Sequence, residues 1–442
     1  MLSSQSSILT IGNNSRRMRI EKRLSPVVAF SSSSRLHQRP LRYAVLGAGF
    51  AGLSVAWHLL EQSPMELHVS IDVLDVVGIG GGASGVAGGL LHPYSPKVKP
   101  LWRAAECWEE SLKLLRIAET SVQTKESSFN NGEIAKSSYG FIAHRRGILR
   151  PAVNSKHMSI MNDNAQNSLG GCRIQCINED ESQTLLPNIS VPSNLAFHMP
   201  NALNIHPQPY LEALYGASET LAKDMTSVGP GEKAINFHNK SIDKLLELEG
   251  EYDAVIVCLG ARSNFLPELS GRLPLRTCRG VTAHFHLPEN IREEIPEHSP
   301  SILSDAWLAI QDPRNLHVGS TWDWKSHNYS QNVSMEEGSR ALEELVPKAC
   351  AIYPNFKNWV FHGASAGLRA MPPLTGNGSL PLLGRIDHLI SKNHASKFWL
   401  FTGLGSRGLL YHAWLGKLTA QAVISCDEGL IPLEFTSWRP KL

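Results

Sequence analysis

The chain has 442 residues, too long for one small core, so two domains or one large elaborated domain are expected. Hydrophobic residues make up 42% and charged residues 19%, the balance of an ordinary globular protein. A formal charge of +2 produces no strong field, so charge alone implies neither nucleic acid nor an anionic membrane as a partner.

The first 40 residues differ from the rest. They carry Ser3, Ser4, Ser6, Ser7 and Ser31 to Ser34, and Arg16, Arg17, Arg19, Lys22, Arg23, Arg35 and Arg39 against one acid, Glu21. A Ser-rich, Arg-rich, acid-poor leader without a continuous apolar core resembles an organelle transit peptide. The hydroxyl content favours a chloroplast and the arginines keep a mitochondrion open; a plain disordered tail is the other reading. Either way, residues 1–40 are set aside from the fold.

The organised chain begins at Tyr43. Tyr43-Ala44-Val45-Leu46 is an apolar run of the kind a buried strand shows. Gly47-Ala48-Gly49-Phe50-Ala51-Gly52 follows at once, and Leu53, Ala56, Trp57 and Leu60 then recur at helical spacing. Strand, GxGxxG and helix in that order are the setting a dinucleotide-binding turn needs. Gly47 permits the tight turn, Gly49 lets a pyrophosphate approach the backbone, and Gly52 lets helix and strand pack closely. The helix N-terminus offers free N–H groups and a positive dipole end to phosphates. A second strand, His68 to Asp75, places Asp75 where an acid binds a ribose hydroxyl pair. Asp72, inside that strand, would point to the opposite face.

The glycine turn alone admits NAD or FAD. The next segment, Gly80-Gly81-Gly82-Ala83-Ser84-Gly85-Val86-Ala87-Gly88-Gly89-Leu90-Leu91, is dense in small residues. A nicotinamide enzyme has no need of it, whereas the long ribityl-diphosphate spine of FAD lies along protein backbone. Tyr252 to Ala261 reads as a buried apolar strand that stops at a turn on Gly260. Near the C-terminal end, Gly403-Leu404-Gly405-Ser406-Arg407-Gly408-Leu409-Leu410 precedes a helical stretch, Ala413 to Ile424. Such a turn presents backbone N–H groups and the positive end of a helix.

Asp75 through Leu91 resembles the D-amino-acid oxidase and glycine oxidase superfamily of FAD-dependent amine oxidases. There an acid-ended strand precedes a GGASG-like segment and a Gly-x-Leu turn near the isoalloxazine. Tyr252 to Ala261 looks like the family's later cofactor strand. Asn204-Ile205-His206-Pro207, ahead of a helical Tyr210 to Leu221, looks like the segment leading back into the FAD domain. Gly367-Leu368-Arg369 resembles the motif whose arginine binds a substrate carboxylate, and Leu382-Leu383-Gly384 fits the strand and turn after it. The resemblance runs in order over roughly residues 42–435. It implies an α/β fold, with a Rossmann-like FAD-binding domain interleaved with a mixed-sheet α+β substrate domain. The FAD-binding segments are expected at 41–92, 201–270 and 365–442, and the substrate segments at 93–200 and 271–364. Thr282 to His286 and Asn315 to Gly319 read as strands, and Asn154 to Leu169 as an exposed loop.

The resemblance also implies an activity. Arg369 would grip a carboxylate by two hydrogen bonds and aim the adjacent C–H at the flavin. Hydride transfer to non-covalent FAD would leave an imine that hydrolyses, and dioxygen as electron acceptor would yield hydrogen peroxide. Arg407 is a second carboxylate or flavin contact, with a solvent-facing or ion-paired arginine as its bland reading; a structural ion pair is the bland reading of Arg369. The cofactor candidates are Gly47, Ala48, Gly49, Phe50, Ala51, Gly52, Asp75, Gly82, Ala83, Ser84, Gly88, Gly89, Leu90, Gly260, Gly405, Ser406, Arg407, Gly408 and Leu409. Gly89-Leu90-Leu91-His92-Pro93 and the Gly403 turn also look similar to the oxidase half of the bifunctional bacterial enzyme that matures the tRNA wobble uridine by removing a carboxymethyl group. The mature part has no basic cluster, so that chemistry carries over more readily than the tRNA, and nucleic acid is not expected. A flavoprotein kept as an assembly factor is a third reading, which the Gly-Leu-Arg motif argues against. His92 and Tyr94 either line the active site or pack a turn. His284 and His286 share a strand face without a third ligand, so no metal is expected. Trp307, Trp322 and Trp324 wall the pocket or, on the better prior, pack the core. The seven cysteines, including the nearby Cys172 and Cys176, read as reduced thiols. No apolar run approaches the roughly 20 residues of a membrane span.

Overall fold

The run Tyr43 to Leu46 has no polar face, and the architecture explains why. It belongs to strand Leu41–Leu46, which lies inside a six-stranded sheet between Val69–Leu74 and Ala254–Val257. Lys233–His238 extends the sheet on one side; Lys397–Thr402 and then Leu382–Arg385 extend it on the other. Every pairing is parallel except the last, which is antiparallel. Tyr43 and Val45 face a core shared with the helices Phe50–Glu61, Ala104–Phe129, Pro207–Val228 and Gly408–Ser425. Ala44 and Leu46 face the opposite core with Leu245, Leu266 and Phe398. Parallel strands covered on both faces read as unbroken apolar runs. The computed structural model describes residues 39–129, 142–390 and 396–439; the leader expected at residues 1–40 falls outside them up to residue 38.

A second, eight-stranded sheet runs in the order Val360–Met371, Arg276–His286, Asn315–Gly319, Trp307–Asp312, Ser301–Leu303, Ile148–Pro151, Ala196–Met199, Gln175–Ile177. Its pairings are antiparallel except that of Ser301–Leu303 with Ile148–Pro151. Val281, Ala283 and Phe285 pack one face of it against Ala341, Leu345 and Ala349 of helix Met335–Ile352. In chain order the strands alternate in blocks between the two sheets. A small sheet of Leu90–Leu91, Leu203–Ile205 and Ala143–His144 stands at these passages. The strand carrying Arg369 spans residue 364 and belongs to the eight-stranded sheet.

One expectation is corrected. Asn154 to Leu169 is not an exposed loop, because Ser155–Ala165 is a helix. Met158, Met161 and Ala165 recur at helical spacing and pack with Val98, Ala152 and Phe197. That narrow apolar face is outweighed in composition by its Asn, Ser and Asp neighbours. Among the described residues no helix is long and apolar enough to cross a membrane, and all seven cysteines are free.

Candidate active site

The turn after strand Leu41–Leu46 is built of backbone in contact with backbone. Gly47 has φ +106°, and a Cβ there would lie 2.6 Å from the Cys258 carbonyl oxygen. A Cβ on Gly52 would lie 1.8 Å from the Gly47 carbonyl oxygen, so helix and strand meet with no side chain between them. Gly49 is the N-cap of helix Phe50–Glu61, whose first turn carries no acid. The Phe50 N–H donates to Ser84 Oγ at 3.2 Å. Asp75 stands just beyond its strand. Its Oδ2 accepts the Ala48 N–H at 2.9 Å, and its Oδ1 accepts the Val77 and Gly78 N–H groups at 2.8 and 3.2 Å. Those bonds fix the carboxylate and leave acceptor capacity on Oδ2. Asp72 faces the other way and takes hydrogen bonds from Arg42, Asn236 and Tyr252, with His238 at 3.0 Å.

These groups open onto one cavity of about 810 Å³. Gly47, Gly49, Phe50, Ala51 and Asp75 line it; Ala48 and Gly52 do not, and shape the turn behind it. Gly82, Ala83, Ser84, Gly88, Gly89 and Leu90 line it next, then Gly260, and finally Gly405, Ser406, Arg407, Gly408 and Leu409. The small residues are there for contact. A Cβ on Gly88 would lie 2.5 Å from the Trp307 ring, and one on Gly89 would lie 2.0 Å from the Ile205 carbonyl oxygen. A Cβ on Gly367 would lie 2.7 Å from Ala83 Cα, so the strand bearing Gly-Leu-Arg crosses directly over the GGASG segment. The Gln331 amide ties that segment down by donating to the Gly80 and Gly82 carbonyls at 2.9 and 2.8 Å. Helix Gly408–Ser425 starts at the cavity, longer than the Ala413 to Ile424 expected, and its first turn has no acid. The cavity thus has two helix N-termini, a fixed carboxylate and long stretches of bare backbone, a surface that can hold a dinucleotide.

Arg369 lines the same cavity. Its Nε donates to the Cys278 carbonyl at 3.3 Å, one terminal nitrogen to the Thr321 carbonyl at 2.9 Å, and the other to Ser320 Oγ at 3.2 Å. The guanidinium carbon lies 4.1 Å from the centre of the Trp322 ring. Gly280 makes room for it, since a Cβ there would lie 2.6 Å from a terminal nitrogen. No carboxylate pairs with Arg369 among the described residues, and burial lowers its pKa. The ion-paired reading is therefore set aside. The neutral partners orient the fork but do not neutralise it, and at least one terminal N–H stays free.

Other candidates separate cleanly. His92 is buried and lines the cavity; burial, then the charges of Arg407 and Arg150, hold it well below the imidazole range. Tyr94 packs a turn: its hydroxyl donates to the Cys172 carbonyl and accepts the Leu169 N–H at 2.9 Å. His284 stacks on His317 at 4.2 Å and bonds Ser365 at 3.1 Å. No metal-binding cluster occurs among the described residues. Trp307 and Trp322 line the cavity, and Trp322 and Trp324 stack on each other while 47% and 41% exposed, which corrects the core-packing prior for both of these. Arg150 lines the site and was missed by sequence reasoning, as were Arg262, Asp305 and Tyr329. The one signal for Arg150 is a charge inside the apolar strand Ile148–Pro151.

A glycine-rich dinucleotide turn joined to a second, cavity-sharing sheet that presents a half-buried arginine defines a nucleotide-cofactor oxidoreductase. The chain belongs to the DAO family of FAD dependent oxidoreductases, whose sequence model matches residues 42–422. Its cofactor is FAD. It is 25% identical over 351 residues to a Rhizobium etli protein with the provisional name thiamine biosynthesis oxidoreductase ThiO, covering 75% of this chain and 85% of that one. Its fold is similar to that of iminodiacetate oxidase IdaA from Chelativorans sp. BNC1, with a TM-score of 0.62, 18% identity and coverage of 90% of this chain and 99% of the other. It is also similar to glycine oxidase from Geobacillus kaustophilus, with a TM-score of 0.65, 15% identity and coverage of 91% and 100%.

Proposed function

We propose that this enzyme oxidises the C–N bond of an amino acid or another amine that carries a carboxylate. The observation that carries the reading is Arg369, a half-buried cation in the cofactor cavity with no carboxylate partner among the described residues. A desolvated charge held only by neutral groups is costly, and an anionic ligand offsets that cost. Iminodiacetate oxidase and glycine oxidase are named for amines that carry carboxylates, which supports the same class.

The residues fit FAD. The Gly47–Gly52 turn and the first N–H groups of helix Phe50–Glu61 would hold its pyrophosphate, and Asp75 a ribose hydroxyl pair. The backbone of Gly82–Leu90 and Gly260 would lie along its spine, and the Gly405–Leu409 turn would face the flavin's N1–C2 edge. When bound, FAD supplies a hydride acceptor. The protein's part is position. Arg369 offers its remaining N–H groups to the carboxylate, while the carbonyls of Cys278 and Thr321 stop the fork from rotating. Trp307, wedged against Gly88 and Gly319, and Trp322 on the guanidinium wall the substrate space. The imine product hydrolyses in water without a protein group. We assign dioxygen as electron acceptor, hydrogen peroxide as product, a dissociable cofactor, and import into the chloroplast.

The test is direct. Residues 41–442 with bound flavin are mixed anaerobically with D-amino acids, glycine, sarcosine and proline analogues, and the visible spectrum is followed. At least one carboxylated amine is expected to bleach the flavin. If none does, the reading fails.

A further inference from the structure

Arg369 is not the only arginine without a carboxylate in this cavity. Arg150 and Arg407 line it too. Arg150 stands on strand Ile148–Pro151, in the same eight-stranded sheet that carries Arg369. Arg407 closes the turn that starts helix Gly408–Ser425. Neither guanidinium forms a hydrogen bond or ion pair with a described residue. Both line the cavity together with His92, and the charge of each reaches that ring. Burial first and then the Arg407 charge lower Arg150 to about 10, and both charges act on His92, which therefore adds no third charge. Asp305 is an acid whose charge reaches Arg150, but it makes no ion pair with it.

Two like charges facing one cavity repel, and burial strengthens the repulsion. The fold maintains this arrangement without a neutralising bond. Planar guanidinium groups suit an oxyanion, which two of them can bind by forked hydrogen bonds. The dinucleotide's own phosphates have their place at the Gly47–Gly52 turn, on the six-stranded sheet. Arg150 belongs to the other sheet; Leu303, which ends the strand paired with its own, and Ser304 and Asp305 just beyond it also line the cavity.

We propose that Arg150 and Arg407 form a second anion subsite, so that the substrate is an amine carrying two acidic groups, one for Arg369 and one for this pair. The proposal rests on the reading of Arg369 above and narrows its substrate class. The second group is a carboxylate or a phosphate; both offer the same oxyanion.

The experiment uses the flavin-loaded protein and non-oxidisable ligands. Linear dicarboxylates from malonate to adipate are titrated, each against the monocarboxylate of equal length, and the perturbation of the flavin spectrum gives dissociation constants. An analogue with a terminal phosphonate tells carboxylate from phosphate. At one chain length the diacid or phosphonate is expected to bind roughly 30-fold or more tighter than the monoacid. Arg150→Met should remove most of that preference and Arg150→Lys retain part of it. Arg150→Met should also keep its flavin and its melting temperature, because it removes one of two repelling charges. The proposal is overturned if no diacid or phosphonate is preferred, if Arg150→Met weakens monoacids and diacids alike, or if that variant loses flavin or melts several degrees lower. Monoacids that bind through Arg369 without any preference for a second charge would sink this proposal and leave the reading of Arg369 standing. If no carboxylate perturbs the flavin and no carboxylated amine bleaches it, both fall.

Discussion

At the scale of single residues, the site depends on what is left out of side chains and on which cations have no carboxylate partner among the described residues. Gly52 tolerates nothing larger, because a Cβ would sit 1.8 Å from the Gly47 carbonyl oxygen. Gly52→Ala should therefore force helix and strand apart, cost about 1–3 kcal/mol or more, and yield protein with little flavin, read from the ratio of visible to ultraviolet absorbance. Asp75 is specific in another way. Its three hydrogen bonds all come from backbone donors on Ala48, Val77 and Gly78. Asp75→Asn must turn an NH2 group toward at least one of them, leaving a donor unpaired at about 1–3 kcal/mol. FAD affinity of the apoprotein should fall roughly 10- to 100-fold; an unchanged dissociation constant would remove Asp75 from the cofactor site. These residues were legible because a glycine turn and a strand-end acid are local requirements. Arg150 was not, because nothing near it in sequence shows that strand Ile148–Pro151 faces the same cavity as Arg369. The neutral partners of Arg369, on Cys278, Ser320 and Thr321, are likewise set by strand pairing over long separations.

At the scale of elements, the C-terminal helix sets the position of the Gly405–Leu409 turn. Helix Gly408–Ser425 approaches Phe50–Glu61 so closely that a Cβ on Gly416 would lie 2.4 Å from Ser54 Oγ and 3.0 Å from the Ser54 backbone. Ser54 Oγ also donates to the His412 carbonyl at 2.9 Å. The His412 ring joins a third helix through Tyr210, oxygen to Nε2 at 2.8 Å, while Nδ1 faces the Gly408 and Leu409 carbonyls at 3.1 and 3.0 Å. With Nδ1 donating to those carbonyls, Nε2 accepts from the Tyr210 hydroxyl. Tyr210→Phe leaves a buried acceptor bare and should lower stability by about 1–3 kcal/mol, measured by denaturant titration of the holoprotein. A change below a few tenths would show that the bond does not hold the helices. The helices of this core were readable from spacing, since Leu53, Ala56, Trp57 and Leu60 form a broad apolar face. Helix Ser155–Ala165 was not, because its buried face is only Met158, Met161 and Ala165 amid polar neighbours. Strand Asn315–Gly319 was read with its observed ends because apolar and polar residues alternate against a half-covered sheet.

At the scale of the whole molecule, the two sheets share one cavity, and burial of uncharged histidines ties stability to pH. Burial holds His412 at about 4; burial, then neighbouring histidine charges, holds His317 at about 3. Each folded value lies below the ordinary imidazole value of 6.5, so the unfolded chain takes up protons first as pH falls. The stability these groups contribute is complete above about pH 6.5 and is lost as pH falls toward 4, at roughly 1.4 kcal/mol per pH unit for each. The melting temperature should drop between pH 7 and pH 5; a flat profile would contradict the neutral burial of these rings. The sheet blocks were legible in order, but the shared cavity was not, since it depends on Gly367 lying over Ala83 across the two halves. The central claim is that this cavity orients a carboxylated amine through Arg369. Rapid-mixing anaerobic reduction tests it most directly, comparing a substrate found by screening with its carboxamide, in the native protein and in Arg369→Met. The native protein should reduce with the acid at least about 100-fold faster than with the amide, a difference of about 3 kcal/mol, and Arg369→Met should keep its flavin and lose that preference. Equal rates for acid and amide in the native protein, or an undiminished preference in Arg369→Met, would contradict the account.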